Sequence, residues 1–312
     1  MSKGPLFYAK ILLFGEYGII KDSMGLSIPY NYYKGAFQYS EVETDETKDS
    51  NAHLLKYLKH LQKLQNNSEL KADLNLTAFA EEINSGLHFD SSIPRGFGVG
   101  SSGALVAAIY DRYADSKISS DAGLNRESIV ELKAIFSQME SYFHGKSSGI
   151  DPTICYLNLP LLIKSKDDLG TVTIPEEGIG EGAIFLINSG QPGETEPMVN
   201  IFMEKLKEEG FRKMLKEQFV TYNDACIKSF LKGDMKPLFS NLKDLSKLAL
   251  DYFTPMIPND FHAIWKKGIE SNAFYLKLCG SGGGGFILGF TRDYKKAEPL
   301  LVGYDHEVIY KF

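Results

Sequence analysis

The chain has 312 residues, 43% hydrophobic and 24% charged, which is typical of a globular protein with one large domain or two smaller ones. It contains 34 Lys and Arg residues and 40 Asp and Glu residues. The resulting net charge of −6 argues against a partner that is nucleic acid or an anionic membrane. Three widely separated cysteines predict neither a disulfide framework nor a zinc site, and they fit a reducing cytoplasm best. Neither a signal peptide nor a membrane span is predicted.

The first predicted strand covers residues 6–14 and is apolar except for Lys10. A cation in such a strand is costly unless its ammonium finds a partner, although a lysine near a strand end can also extend to solvent. The elements predicted next are strands at 26–33 and 35–42 joined by a turn at Lys34-Gly35, a polar loop at 43–51, a helix at 52–64 and a short strand at 73–77.

Residues 94–104, with the sequence PRGFGVGSSGA, form a glycine-rich loop that leads into a helix whose apolar face begins at Leu105. The alternating glycines allow positive φ angles, and Ser101 or Ser102 can cap the helix. Free backbone N–H groups at the positive end of a helix dipole predict a phosphate cradle, with a simple tight turn as the alternative. A dinucleotide-binding fold is not implied, because the G-x-G-x-x-G pattern also occurs at 280–285.

A polar connection at 115–123 leads to a second predicted helix over 127–144, where apolar residues step by three and four until Gly145 ends the helix. Glu140 lies at the edge of its buried face, so the carboxylate is either solvated or directed into a site. His144 is interpreted as a helix-end residue. Asp151 precedes Pro152 and is either a turn residue or a functional acid.

The second half of the chain begins with a polar, glycine-rich stretch at 167–182, which we interpret as a domain boundary. The absence of a regular βαβ repeat favours an α+β fold. The predicted elements are a strand at 183–188, a turn at 189–193, helices over 196–253 with breaks at Gly210 and 233–237, a helix at 259–271, strands at 274–278 and 286–288 around a second glycine loop, a helix at 293–302 and a strand at 306–311.

Three stretches together resemble the GHMP small-molecule kinases, which include galactokinase, homoserine kinase, mevalonate kinase and phosphomevalonate kinase. They are residues 10–16 (KILLFGE), 94–104 and 277–285 (KLCGSGGGG), and their order and separation match the family's three motifs. The resemblance implies a two-domain α+β fold, with an N-terminal domain like ribosomal protein S5 domain 2 over 1–178 and a ferredoxin-like domain over 179–312. It also implies ATP and Mg²⁺ as cofactors, a small-molecule substrate and, as is common among similar kinases, a homodimer.

Within the superfamily the likeness is greatest to mevalonate kinases, because residues 140–151 (ESYFHGKSSGID) resemble the segment that joins their magnesium-binding Glu to their catalytic Asp. By this resemblance Asp151 accepts the proton of the substrate hydroxyl, Glu140 and Ser102 hold Mg²⁺, and Lys10 pairs with Asp151 and the transferring phosphoryl group. The residues implied to contact the nucleotide phosphates are Pro94, Gly96, Gly98, Gly100, Ser101, Ser102 and Gly103. Those implied to contact the acceptor are Glu16, Tyr17, Thr195, Gly282 and Gly283.

Some positions depart from the mevalonate kinase pattern. Tyr17 follows Glu16 where those enzymes usually have His, and Glu196 replaces an Arg that commonly follows the functional threonine. The Gly-Glu-Tyr sequence and the Ser-Ser-Gly of the first glycine loop are more typical of phosphomevalonate kinases. The expected function is ATP-dependent phosphorylation of mevalonate for isoprenoid precursors. The alternatives are phosphomevalonate kinase or another GHMP kinase, and a non-catalytic nucleotide- or metabolite-binding member. A diphosphomevalonate decarboxylase is disfavoured by the kinase-like pattern of Lys10 and residues 140–151.

Overall fold

The structure is a computed structural model that describes residues 4–21, 23–40, 42, 44–120, 124–165 and 167–312. The chain divides into two compact units. The first comprises Met1–Lys10, Pro29–Pro94 and Gly100–Leu159, and the second comprises Ile11–Ile28, Arg95–Val99 and Pro160–Phe312. The chain therefore passes between the units within two strands and within the first glycine loop, as well as near residue 160.

The first unit packs helices against an antiparallel strand pair. Its elements are the start of β1 (Phe7–Phe14), the second half of β2 (Gly25–Tyr39), α1 (Asp45–Asn66), α2 (Leu76–Asn84), β3 (Leu87–Ser91), α3 (Ser101–Tyr113), α4 (Arg126–His144) and α5 (Ile150–Leu157). Strands β2 and β3 are in register from Gly35 opposite Ser91 to Tyr39 opposite Leu87. Tyr110 of α3 meets Phe136 of α4 and Tyr156 of α5 edge-on, with ring centroids 5.1 and 5.3 Å apart, so these three helices share one core.

The predicted turn at Lys34-Gly35 is wrong, because β2 runs unbroken through both residues. A Cβ on Gly35 would lie 2.5 Å from the ring of Phe89 on β3. The glycine therefore makes room for a cross-strand aromatic side chain rather than for a change of direction. Residues 41, 43 and 121–123, which fall in a predicted strand and in two predicted loops, lie outside the described residues.

Two further predictions in this unit are wrong. Helix α1 starts at Asp45, within the predicted loop, because Thr44 and Thr47 form a capping box in which each side chain accepts from the backbone N–H of the other. The short strand predicted at 73–77 is reduced to an isolated bridge between Leu74 and Ala114, because α2 begins at Leu76, where the Asn75 side chain accepts from the Ala78 N–H at 3.0 Å. The second helix is as predicted and ends before Gly145.

The second unit contains a four-stranded antiparallel sheet and most of the C-terminal helices. Its elements are the end of β1, the start of β2, β4 (Leu161–Ser165), β5 (Asp168–Thr171), β6 (Ala183–Asn188), α6 (Thr195–Lys205), α7 (Glu209–Met214), α8 (Val220–Leu231), α9 (Met235–Tyr252), α10 (His262–Ser271), β7 (Tyr275–Leu278), β8 (Phe286–Thr291), α11 (Tyr294–Ala297) and β9 (His306–Lys311). The sheet has the order β7-β8-β6-β9, and β4 pairs antiparallel with both β2 and β5.

The predicted strands at 183–188 and 306–311 are confirmed, and the helix break near residue 233 is confirmed between α8 and α9. The break predicted at Gly210 is found slightly earlier, at residues 206–208 between α6 and α7, and Gly210 itself lies inside α7. The mixture of helices and antiparallel sheets confirms the α+β class. Across the described ranges, no helix combines the length and apolar character that crossing a membrane requires.

Candidate active site

Lys10 and Asp151 form an ion pair in the first unit. The Lys10 Nζ lies 2.9 Å from an Asp151 Oδ, and the lysine side chain is 4% exposed while the aspartate side chain is 38% exposed. Lys10 therefore finds a partner and does not extend to solvent. Asp151 lies in the first turn of α5, and this placement directs its carboxylate toward Lys10 while leaving part of it open to solvent. The arrangement supplies a buried cation beside an accessible carboxylate.

Ser102 and Glu140 are joined by a hydrogen bond. The Ser102 Oγ donates to Glu140 Oε1 at 2.9 Å, although the two residues are far apart in sequence and lie on α3 and α4. Glu140 is 3% exposed, so the solvated interpretation of this residue is wrong and the carboxylate points inward. Gly103 packs directly on the backbone of Asp151 and Pro152, which brings α3 and α5 together at the same place.

The buried carboxylate of Glu140 is hydrogen-bonded on both oxygens. The Ser147 hydroxyl donates to Glu140 Oε2, opposite the bond from Ser102. Burial raises the pKa of the Glu140 carboxyl, and the negative charge of Asp151 raises it further, while the two serine hydroxyls and Lys10 oppose the rise. Ser147 carries no recognisable motif signal in the sequence, and its contact with Glu140 becomes visible only when α4 and the loop after it fold together.

His144 ends α4 as predicted, and its ring also contacts Ser102. The His144 Nε2 lies 3.0 Å from the Ser102 Oγ, and burial lowers the pKa of the ring. Interpreted from sequence only as a helix-end residue, His144 thus belongs to the same group of side chains as Ser102 and Glu140.

Helix α3 begins at Ser101, one turn earlier than the apolar pattern shows. The predicted capping by Ser101 or Ser102 is wrong, because Gly100 is the N-cap residue with φ of +85°. No side chain in the described part of the chain caps this helix. Ser102 uses its hydroxyl for Glu140 instead, and the first backbone N–H groups of α3 point from a helix N-terminus, the arrangement that suits an anion.

The loop residues Arg95–Val99, which precede α3 and include Gly96 and Gly98, belong to the second unit and contact other parts of it. Gly96 and Gly98 have φ of +78° and +77°. The Gly193 N–H donates to the Gly96 carbonyl at 2.7 Å. A Cβ on Gly98 would lie 2.3 Å from the Cys279 carbonyl oxygen, so no larger residue fits there without displacing the chain. Pro94, which precedes this stretch, is half-buried in the first unit.

Glu16 is buried in the second unit against Lys277 of β7. The two side chains are 6% and 4% exposed and form a close ion pair. The Lys277 ammonium also donates to the Leu278 carbonyl at 3.2 Å and lies over the ring of Phe14. Burial lowers the pKa of Lys277 to about 7, and a smaller electrostatic effect of Cys279 opposes this change. The Glu16 carboxylate is thus already engaged by a cation of its own unit.

Tyr17 contacts the second glycine loop, which connects β7 to β8. Its hydroxyl donates to the Ser281 carbonyl at 2.5 Å, and its ring stacks on Phe202 with centroids 4.6 Å apart. Burial raises the pKa of Tyr17. The Ser281 hydroxyl reaches Thr195 at 3.4 Å. In the same loop the Gly283 N–H donates to the Met256 carbonyl at 2.7 Å, which a Cβ on Gly282 would approach to 2.4 Å.

The chemistry of the Ser102 and Glu140 pair fits Mg²⁺. Within the described residues, no three His, Cys, Asp or Glu side chains are grouped to hold a metal ion. Mg²⁺ needs few protein ligands, because water and substrate phosphates complete its octahedral shell. Ser102 and Glu140 offer a hydroxyl and a carboxylate oxygen 2.9 Å apart, and hard oxygen donors of this kind are those that Mg²⁺ prefers.

Residues 56–158 match the sequence model of the family described as GHMP kinases N terminal domain. No curated protein matches the chain significantly. The matched region contains α3, α4 and α5, and therefore Ser102, Glu140 and Asp151.

Solved structures with the same fold cover nearly the whole chain. L. major mevalonate kinase in complex with R-mevalonate is 14% identical, with a TM-score of 0.61, and the match covers 96% of this chain and 90% of that one. S. pneumoniae phosphomevalonate kinase in complex with phosphomevalonate and AMPPNP is 12% identical, with a TM-score of 0.62 and coverage of 98% and 99%. L. lactis galactokinase complexed with galactose is 13% identical, with a TM-score of 0.63 and coverage of 98% and 92%.

Residues 56–158 therefore match the GHMP kinase N-terminal model, and the chain as a whole shares its fold with mevalonate kinases, phosphomevalonate kinase and galactokinase, in agreement with the sequence resemblance. Mevalonate kinases recur among the similar structures. At identities of 12–14% the three structures described above share a fold with this chain, and their different acceptors leave the substrate of this chain open.

Proposed function

We propose that the protein is an ATP-dependent kinase that transfers the terminal phosphoryl group of ATP to the hydroxyl of mevalonate. The observation that carries the proposal is the ion pair between buried Lys10 and half-exposed Asp151, which lies beside the hydrogen-bonded Ser102 and Glu140. A base, a cation and a pair of hard oxygen donors are the parts that phosphoryl transfer requires.

Asp151 would orient the acceptor hydroxyl and accept its proton. Its side chain is 38% exposed, so an acceptor can approach the carboxylate without moving the helix. A general base contributes roughly 10²- to 10⁴-fold to a rate. Lys10 holds the carboxylate in place and supplies positive charge where the transferred group accumulates negative charge.

Ser102 and Glu140 would hold Mg²⁺, and Gly100, Ser101 and Gly103 would offer the N-terminus of α3 to the nucleotide phosphates. When bound, Mg²⁺ supplies neutralisation of the phosphate charge. The chain would contribute two adjacent hard oxygen donors and keep the carboxylate away from bulk water.

A phosphomevalonate acceptor is the second candidate. Its support is Tyr17, which stands where mevalonate kinases usually have histidine. The Tyr17 hydroxyl donates to the Ser281 carbonyl, and the side chain offers no imidazole to an acceptor. Three buried cysteines that are not in disulfides support a cytoplasmic location. The proposal extends to isoprenoid precursor synthesis and to a homodimer on the family resemblance alone.

The proposal is tested by measuring ADP release from Mg²⁺-ATP with mevalonate, phosphomevalonate, homoserine and galactose offered separately, and with Asp151→Asn as the control. Turnover with mevalonate alone, lost in the variant, is the expected result. Turnover with phosphomevalonate alone would move the acceptor to the second candidate. ATP binding without turnover on any acceptor would favour a non-catalytic binding protein and contradict the kinase assignment.

A further inference from the structure

The buried carboxylate of Glu140 is held from two sides by hydroxyl groups that come from different segments. Ser102 reaches Oε1 from the first turn of α3, and Ser147 reaches Oε2 from the loop after α4. A buried carboxylate is stabilised only where its lone pairs are satisfied, so these two bonds determine where its oxygens lie. Of the two serines, Ser147 is not accounted for by the phosphoryl-transfer roles already described.

Ser147 is itself fixed by the backbone around it. Its hydroxyl accepts from the Gly149 N–H at 3.0 Å, and its carbonyl accepts from the Ser137 hydroxyl of α4 at 2.6 Å. Gly149 is the N-cap residue of α5, two residues before Asp151. Ser147 thus connects the orientation of Glu140 to the start of the helix that bears Asp151.

The single hydroxyl proton of Ser102 determines which group donates in its contact with His144. A serine hydroxyl has one proton, and Ser102 donates it to Glu140 Oε1. The contact of 3.0 Å between Ser102 Oγ and His144 Nε2 is therefore a bond in which the ring N–H donates and the serine oxygen accepts. His144 thereby fixes the direction of the remaining lone pair on Ser102.

We propose that Ser147 and His144 are positioning residues of the phosphoryl-transfer site, with Ser147 orienting Glu140 and His144 orienting Ser102. The inference rests on the proposed kinase function, because it assigns the two residues to the partners that surround the magnesium ligands. Residues that hydrogen-bond to metal ligands hold the ligand oxygens in position without contacting the ion. Their loss typically weakens metal affinity about 10- to 100-fold.

The experiment measures binding of a non-hydrolysable ATP analogue with a β,γ-imido bridge, by isothermal titration of the whole chain with Mg²⁺ or with EDTA. The dissociation constant in EDTA divided by the dissociation constant with Mg²⁺ reports how strongly the protein engages the metal. Measuring this ratio requires neither an acceptor nor turnover. Loss of a positioning residue should lower this ratio about tenfold while leaving the affinity in EDTA near the wild-type value.

Matched variants separate hydrogen bonding from bulk. Ser147→Ala removes the hydroxyl and Ser147→Thr keeps it. His144→Gln keeps an N–H donor near the Nε2 position, whereas His144→Asn places its donor near the other ring nitrogen. Ser141→Ala is the control, because Ser141 lies next to Glu140 in sequence but donates only to the Ser137 carbonyl, at 2.6 Å.

We expect a reduced ratio for Ser147→Ala and His144→Asn, with near wild-type values for Ser147→Thr, His144→Gln and Ser141→Ala. Equal ratios in all variants, with a wild type that does prefer the Mg²⁺ complex, would overturn the positioning role and leave the kinase proposal intact. A wild type that binds the analogue equally with Mg²⁺ and EDTA would overturn both. Loss of binding in EDTA, or a lowered unfolding temperature that Ser147→Thr does not restore, would overturn the positioning role in favour of a structural one.

Discussion

Two buried lysines, Lys10 and Lys277, should respond differently to the same substitution by methionine. Their side chains are equally inaccessible, at 4% exposure each, but the partner of Lys10 is 38% exposed whereas the partner of Lys277 is 6% exposed. Removing one member of a buried ion pair costs about 3–5 kcal/mol, because the remaining charge stays in a medium of low dielectric constant. Lys277→Met should therefore lower the free energy of unfolding by about this amount.

Lys10→Met should lower the free energy of unfolding much less, because the exposed part of Asp151 can be hydrated, and methionine preserves most of the apolar stem. Its effect falls on catalysis. Removing one preorganised group that stabilises transition-state charge typically lowers kcat by about 10²- to 10³-fold. The two variants thus separate a lysine that acts on the reaction from one that holds the fold together.

Urea unfolding gives the free energies, and ADP release at saturating ATP and acceptor gives kcat, measured where both variants are folded. A Lys10→Met protein whose kcat falls by less than about tenfold would refute the role of Lys10, since one charged donor is expected to contribute more than this. A Lys10→Met protein less stable than Lys277→Met would refute the argument from partner exposure.

Three further outcomes follow from particular contacts. Gly98→Ala should lower the free energy of unfolding by more than about 2 kcal/mol, because the strain of a positive φ adds to the clash of a Cβ only 2.3 Å from the Cys279 carbonyl oxygen. Gly233→Ala, with φ of +70° and open space around the Cβ, should show only the cost of the positive φ in the same urea experiment. Tyr17→Phe should lower the free energy of unfolding by about 0.5–1.5 kcal/mol, the value of one hydrogen bond, and a change of zero would show that the bond to Ser281 is not formed. EDTA should abolish ADP release reversibly while leaving the unfolding temperature of the nucleotide-free protein unchanged by differential scanning calorimetry, because Mg²⁺ has only two proposed protein ligands; a lowered temperature would indicate a structural metal.

Elements with continuous apolar runs or strict helical periodicity could be predicted from the sequence. Strands β6 and β9 match their predicted bounds, and α4 ends at the predicted glycine. The N-terminal turns of α1 could not be predicted from apolar spacing, because that part of the helix faces solvent. A threonine at the third position of its capping box is also a weaker signal than the usual Glu or Gln.

Gly35 shows why single residues mislead. A Lys-Gly pair between two aromatic-rich runs predicts a turn, but here the glycine serves a tertiary contact with Phe89 that only the pairing of β2 with β3 creates. Helix α3 is similar, because two serines in an N-terminal position predict a cap, whereas Gly100 takes that position and frees Ser102 for Glu140.

Some residues of the candidate site could likewise be predicted from the sequence, and others could not. Lys10, Ser102, Glu140 and Asp151 could be identified from motif spacing and family resemblance, and the structure joins them in two close pairs. Ser147 and His144 could not be assigned, because a serine in a loop and a histidine at a helix end have no distinctive pattern until three helices meet. The acceptor is not predictable either, because the residues that select it follow no motif.

The most direct test of the central claim is single-turnover transfer of the terminal phosphoryl group of ATP to mevalonate, followed by the mass of the product, with the wild type and Asp151→Asn compared at equal nucleotide occupancy. The wild type should form phosphorylated mevalonate, and the variant should bind ATP with similar affinity but transfer about 10²- to 10⁴-fold more slowly. Transfer at an unchanged rate in Asp151→Asn would contradict the role of the Lys10–Asp151 pair, and no phosphorylated mevalonate from the wild type would contradict the proposed acceptor.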